Sequence, residues 1–150
     1  MQKWYILTFI CLYTLIQGCS NDSKSKIFNP NGDSELALLM RNMYDDGMIT
    51  RQQLLDGKNP EVKVKFQQIH TAKATQPLEI DLNTFNSFAS AYESSVQTFL
   101  DSEPAHRVAN YTNMVNACMN CHQQVCPGPT RKIKHLYLTE SEERIVKSEE

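Results

Sequence analysis

Residues 104–129 read PAHRVANYTNMVNACMNCHQQVCPGP, and this stretch carries a regular helical pattern. Six positions follow one another at steps of three, four, three, four and three residues: Val108, Tyr111, Val115, Cys118, His122 and Val125. Such steps keep side chains on one stripe of a helix, the stripe that packs inside a helical bundle. The stretch therefore predicts a long helix that starts at Ser102, has Pro104 in its first turn and stops at Pro127-Gly128-Pro129.

Three segments further upstream also show helical spacing, and no segment shows the sustained alternation of a strand. They are expected at residues 33–57, at 59–76 and from 81 or 83 to 99. In the first of them Gly47 is a candidate break. Short connections favour antiparallel neighbours, so the sequence predicts an all-α fold, an antiparallel four-helix bundle.

Composition favours one globular domain, because the chain has 150 residues, of which 41% are hydrophobic and 21% charged. The formal net charge is −2 and no basic stripe is interleaved with aromatic residues, which argues against a nucleic-acid partner. We divide the chain into a signal peptide at 1–18, a flexible tether at 19–33, a helical domain at 34–126 and a C-terminal extension at 127–150. The extension contains a short apolar piece, expected to pack on the bundle, and a charged end, expected to fray.

The N-terminus has the pattern of an export signal. Lys3 is followed by an apolar run from Trp4 to Ile16, which is too short to span a bilayer and suits a signal-peptide core. The run ends at Gly18-Cys19 and resembles a bacterial lipobox, which implies cleavage before Cys19 and lipidation of that residue. An ordinary secretory signal is the alternative. We expect an extracytoplasmic, membrane-anchored lipoprotein that faces the periplasm or the cell surface.

Three cysteines of the mature chain, Cys118, Cys121 and Cys126, lie within nine residues. An odd number argues against a disulfide framework. A redox dithiol is disfavoured because the pair lies near the predicted C-terminal end of a helix, where the helix dipole opposes a thiolate. A zinc site could use the three cysteines with His122, but the adjacent Cys121 and His122 would hardly converge on one tetrahedral ion.

Cys118, Cys121 and His122 form the Cys-x-x-Cys-His signature of c-type haem attachment. On a helix the three side chains leave one face, since they lie at positions i, i+3 and i+4. The sequence therefore predicts one covalent haem c, with thioethers to Cys118 and Cys121 and with His122 on the iron. Attachment takes place outside the cytoplasm, where the export signal directs the chain.

A second iron ligand must come from upstream if it is a methionine, because none follows His122. The mature chain offers Met40, Met43, Met48, Met114 and Met119. Of these, Met114 and Met119 lie on the haem-bearing helix and cannot easily reach the opposite face of the haem.

A C-terminal CMNCH on the last helix of a four-helix bundle resembles the class II c-type cytochromes, that is, cytochrome c-prime and its low-spin relatives. The resemblance covers roughly residues 34–126. It implies that Met40, within Leu39-Met40-Arg41, is the sixth iron ligand, with Met43 as the second candidate. The chain departs from the family after the haem histidine, where Gln123 to Cys126 replace an aromatic and a basic residue. Arg131, Lys132 and Lys134 could take over the pairing with the haem propionates if the tail folds back.

We expect a membrane-tethered electron carrier with His/Met-ligated iron and transient redox partner proteins. No nucleophile–base pair or paired carboxylates indicate an enzyme. One alternative is a five-coordinate gas-binding module for nitric oxide or carbon monoxide. Another is a lipoprotein in which the motif is structural or binds zinc. The resemblance also raises a homodimer formed through the first helices, for which the sequence holds no other indication.

Overall fold

A computed structural model of the chain describes residues 33–149, and every regular element in that range is helical. The predicted all-α class is therefore confirmed. The signal peptide at 1–18, the lipidation of Cys19 and nearly all of the tether at 19–33 lie outside the described residues and stay predictions. In the described part, no helix is both long enough and apolar enough to cross a membrane.

The structure contains three long helices, followed by a C-terminal segment of shorter ones. The long helices are α1 (Glu35–Leu55), α2 (Leu82–Leu100) and α3 (Pro104–Val125). The C-terminal segment consists of α4 (Thr130–Ile133), a 3₁₀ helix (Lys134–Leu136) and α5 (Glu140–Glu149). Between α1 and α2 lies another 3₁₀ helix (Phe66–His70).

Helix α1 begins and ends where its capping residues predict. The Ser34 hydroxyl accepts a hydrogen bond from the Ala37 amide at 3.3 Å. The chain leaves the helix at Gly57, whose φ of 64° is the left-handed conformation that glycine adopts most readily. The break considered at Gly47 does not form, and α1 is continuous there. Instead Gly47 admits the Leu136 side chain, which a Cβ would meet at 3.2 Å.

The prediction of a helix at 59–76 is wrong, because only the five-residue 3₁₀ helix forms there. The reason is Asp46, a buried residue of α1. Its Oδ2 accepts hydrogen bonds from the backbone amides of Lys63 at 2.9 Å and Val64 at 3.3 Å. A buried carboxylate requires such partners, and these amides can no longer serve a helix of their own. The 3₁₀ helix then buries Phe66 and Ile69 in the core.

Helices α2 and α3 pack against each other and supply much of the core. Asp81 caps α2 by accepting hydrogen bonds from the Thr84 amide at 3.0 Å and the Thr84 hydroxyl at 2.6 Å. Phe99 and Tyr111 meet edge to face across the two helices, with ring centroids 5.6 Å apart. Helix α3 ends at Val125, directly before the Cys-Pro-Gly-Pro sequence, as predicted.

The C-terminal segment belongs to the same hydrophobic cluster as the long helices. Its apolar piece packs on them as predicted, with Ile133, Leu136 and Leu138 buried. The prediction that the charged end frays is wrong, because residues 140–149 form α5 and bury Val146. The local cause is a capping box. The Glu142 carboxylate accepts from the Thr139 amide at 2.8 Å, and the Thr139 hydroxyl accepts from the Glu142 amide at 3.3 Å.

Candidate haem-attachment site

The last turns of α3 carry Cys118, Cys121 and His122, all three half-buried. Because the backbone is α-helical throughout this stretch, positions i, i+3 and i+4 share one face, as predicted. The helix terminates immediately afterwards, and the Cys126 amide still donates to the His122 carbonyl at 3.1 Å. The motif thus lies on a regular helix that is held at its end by Cys126.

The His122 ring is oriented by the same residue. Its Nδ1 lies 3.0 Å from the carbonyl oxygen of Cys126. A carbonyl oxygen can only accept, so the proton must be on Nδ1, and the lone pair is left on Nε2. Burial lowers the pKa of His122, which favours the neutral imidazole. A neutral imidazole with its Nε2 lone pair unprotonated is the form that binds a metal.

The thiols of the motif are protonated rather than activated. Burial, with a smaller contribution from Cys121, raises the pKa of the Cys118 thiol to about 12. Burial and the neighbouring Cys126 raise the pKa of Cys121 to about 11. These values are the reverse of what a redox dithiol needs, because its attacking sulfur has a lowered pKa. All three cysteines of the described range are free thiols.

Two tyrosine hydroxyls connect the motif helix to the C-terminal segment. The Tyr111 hydroxyl of α3 donates to the Leu136 carbonyl at 2.7 Å. The Tyr137 hydroxyl donates to Asn116 Oδ1 of α3 at 2.8 Å. Burial raises the pKa of both tyrosines, so both hydroxyls are protonated and can donate these hydrogen bonds.

The candidate methionines of α1 reach the same core. Met43 is buried, and Met40 is half-buried against the hydrophobic cluster that Cys118 also contacts. Met114 and Met119 are buried as well, but on α3 itself. Cys118 and the two candidate methionines of α1, Met40 and Met43, thus contact one hydrophobic core, which Met48 of α1 also joins.

The zinc alternative used Cys118, Cys121, His122 and Cys126. Within residues 33–149, no three or more His, Cys, Asp or Glu side chains gather as a metal-ion site. Within that range, the four side chains of the zinc alternative are therefore not grouped as ligands of one ion.

The C-terminal segment folds back onto α1. The predicted pairing of its cations with haem propionates requires such a fold. Lys132 Nζ lies 4.8 Å from the centroid of the Tyr44 ring on α1. Arg131 and Lys134 are exposed beside it. Pairing of these cations with propionates stays a prediction.

The sequence reasoning missed the groups that connect the tail to this site, namely Asn116, Tyr137 and the Arg51–Glu142 ion pair. The Thr139-Glu140-Ser141-Glu142 capping box was a readable signal for α5. No local signal identifies Tyr137 or Arg51, because their partners are distant in sequence.

Comparisons of the chain with protein-family models, with curated proteins and with solved structures found no match.

Proposed function

We propose that the chain is a lipid-anchored c-type cytochrome with one covalent haem, and that it carries electrons outside the cytoplasm. The observation that carries the proposal is the His122–Cys126 hydrogen bond, which leaves Nε2 of a neutral imidazole beside two thiols of the same helical face. This donor set fits covalent haem, since two thioethers and one imidazole are what such attachment requires.

In this proposal Cys118 and Cys121 would hold the haem, and His122 Nε2 would bind the iron. Met40 would supply the other iron ligand, with Met43 as the second candidate. Bound haem would supply a one-electron iron couple. Two ligands from the protein would hinder the binding of small molecules to the iron, and a methionine ligand would raise its potential. A carrier of this kind needs only transient, small interfaces with its redox partners.

We further propose that α1 and α3 run antiparallel, as in a four-helix bundle. The C-terminal segment contacts α1 in rising order, with Lys132 at Tyr44, Leu136 at Gly47 and Glu142 at Arg51. It therefore follows α1 in the same direction. Since the segment starts where α3 ends and reaches back to Tyr111 through Leu136, it runs against α3. In this arrangement, the end of α1 that carries Met40 would lie near the end of α3 that carries the motif.

In the proposed bundle, the C-terminal segment takes the place of the predicted second helix. Its buried residues Ile133, Leu136 and Leu138 supply apolar area that the short 3₁₀ helix at 66–70 cannot. This substitution is a departure from the class II pattern, in which the haem-bearing helix is the last.

The decisive experiment is a pyridine haemochrome spectrum of denatured protein produced in a cell that attaches haem c. We expect one haem per chain that acid acetone does not extract. The covalent haem content should fall or disappear in three variants: Cys118→Ser, Cys121→Ser and His122→Ala. The matched control is Cys126→Ser, which should keep the wild-type haem content. Haem that extracts freely, or no haem, would overturn the proposal.

Two further measurements test the electron-carrier role and the lipid anchor separately. A low-spin ferrous spectrum that carbon monoxide changes only at high concentration, because the gas must displace a methionine, supports a carrier, whereas rapid binding at low concentration indicates the gas-binding alternative. Membrane fractionation of wild type and of Cys19→Ser tests the anchor. We expect the wild type in the membrane fraction and the variant in the soluble fraction.

A further inference from the structure

The C-terminal segment lies between α1 and α3 and contacts both of them. On the α1 side, Gly47 makes room for Leu136, and Arg51 binds Glu142. On the α3 side, the Tyr111 hydroxyl donates to the Leu136 carbonyl at 2.7 Å. The contacts are buried or half-buried, so the segment is an internal part of the core.

Tyr137 is the residue of this segment that contacts both helices through hydrogen bonds. Its carbonyl oxygen accepts from Arg51 Nε of α1 at 3.3 Å. Its hydroxyl donates to Asn116 Oδ1 of α3 at 2.8 Å. Asn116 precedes Cys118 by two residues.

The Arg51 end of this bridge is itself fixed. Arg51 Nη2 donates to both carboxylate oxygens of Glu142, at 2.7 and 2.6 Å. Glu142 is held in turn by the Thr139 amide and hydroxyl, at 2.8 and 2.9 Å. The guanidinium is planar, so a carboxylate that holds Nη2 also limits the directions that its Nε–H can take, and here Nε–H points toward Tyr137.

From these contacts we infer that Tyr137 is a positioning residue that sets the spacing between α1, with its candidate iron ligands, and the haem-bearing α3. The inference rests on the proposed function. A bond from Met40 to iron requires the two helices to keep one separation. A hydrogen-bonded bridge favours one separation because hydrogen bonds are directional, whereas hydrophobic burial is not. Tyr137 touches neither iron nor haem in this role, and acts through Arg51 and Asn116.

The test is Tyr137→Phe, which keeps the ring and removes only the hydroxyl. We expect one covalent haem per chain, as in wild type. We also expect a weaker iron–methionine bond, and hence about a fivefold lower apparent Kd for carbon monoxide, the effect of losing one hydrogen bond. The reduction potential should fall at the same time, because methionine ligation favours the ferrous state.

Asn116→Ala should give the same change, and the Tyr137→Phe/Asn116→Ala double variant should show no further change, because both remove one hydrogen bond. Tyr44→Phe is the control, since it removes a tyrosine hydroxyl on α1 outside this bridge. It should leave both readouts at wild-type values.

If haem is attached and Met40 ligates the iron in wild type, yet Tyr137→Phe matches Tyr44→Phe in both readouts, the inference is wrong and the proposed function stands. If the wild type has no covalent haem, or binds carbon monoxide without displacing a methionine, the proposed function and the inference are overturned together.

Discussion

Arg51 and Glu142 form an ion pair in which Arg51 Nη2 donates to both carboxylate oxygens, at 2.7 and 2.6 Å. The residues lie 91 positions apart and join α1 to the last helix of the chain. Their side chains are only 16% and 25% exposed, so the pair is shielded from solvent more than an ordinary surface ion pair. It fixes the C-terminal segment on the long helices.

Replacing Glu142 by Gln should lower the free energy of unfolding by about 1.5 kcal/mol, since charge-assisted hydrogen bonds to Arg51 and the capping box are both weakened. Urea unfolding followed by circular dichroism measures this. The matched control is Lys147→Gln, which removes the exposed ion pair to Glu143 at 3.4 Å and should cost less than about 0.5 kcal/mol. Equal losses of unfolding free energy in the two variants would show that the Arg51–Glu142 pair stabilises the fold no more than an exposed ion pair does.

The same pair predicts a dependence of stability on pH. The Thr139 amide, the Thr139 hydroxyl and Arg51 hold the pKa of Glu142 below its ordinary value of 4.5. A carboxyl whose pKa is lowered by folding stabilises the folded state above its unfolded pKa. That contribution is lost as the pH falls through the lower, folded pKa. Between pH 7 and pH 3, wild type should therefore lose more stability than Glu142→Gln. Parallel curves for the two proteins would contradict the prediction.

We expect Asp46 to hold the backbone of residues 61–65 in its observed conformation. Replacing it by Ala leaves the amides of Lys63 and Val64 without their acceptor and should cost about 2 kcal/mol. Amide hydrogen exchange should report faster exchange at those two positions. The neighbouring Asp45 is exposed, and Asp45→Ala should leave stability within about 0.5 kcal/mol of wild type. Unchanged exchange at Lys63 and Val64 in Asp46→Ala would count against this account.

Met40→Ala should convert a low-spin haem into a high-spin one that binds carbon monoxide. The control is Met43→Ala, one turn further along α1, which should stay low-spin while losing stability because Met43 is buried. Visible spectra of both ferrous proteins, with and without carbon monoxide, provide the measurement. The reverse result would assign the sixth position to Met43. No change in either variant would point to a sixth ligand outside α1.

Much of the helical framework could be predicted from short-range signals. Ser34 and Asp81 mark helix starts, and Gly57 and the Pro-Gly-Pro sequence mark helix ends, because capping and backbone conformation are local properties. Helix α3 starts at Pro104, two residues after the predicted Ser102, and Glu103 is its N-cap. The grouping of Cys118, Cys121 and His122 on one face is equally local, since it follows from helical periodicity alone.

The two wrong predictions have long-range causes, although α5 also has its local capping box. Residues 59–76 have a helical pattern, but the buried carboxylate of Asp46 accepts from the backbone amides of Lys63 and Val64, and the chain is not helical there. The charged C-terminus has little apolar surface of its own. It folds because Arg51 lies opposite Glu142 and because Val146 finds a place in the core.

The sequence alone therefore specifies an all-α chain whose Cys-x-x-Cys-His motif lies on the face of a long helix. Export and haem attachment are predictions made from the same sequence. Tertiary structure accounts for the conformation of residues 59–76 and for the contacts of the C-terminal segment with α1 and α3. The physical reason is that buried polar groups must find hydrogen-bond partners, and only the folded chain brings those partners within reach.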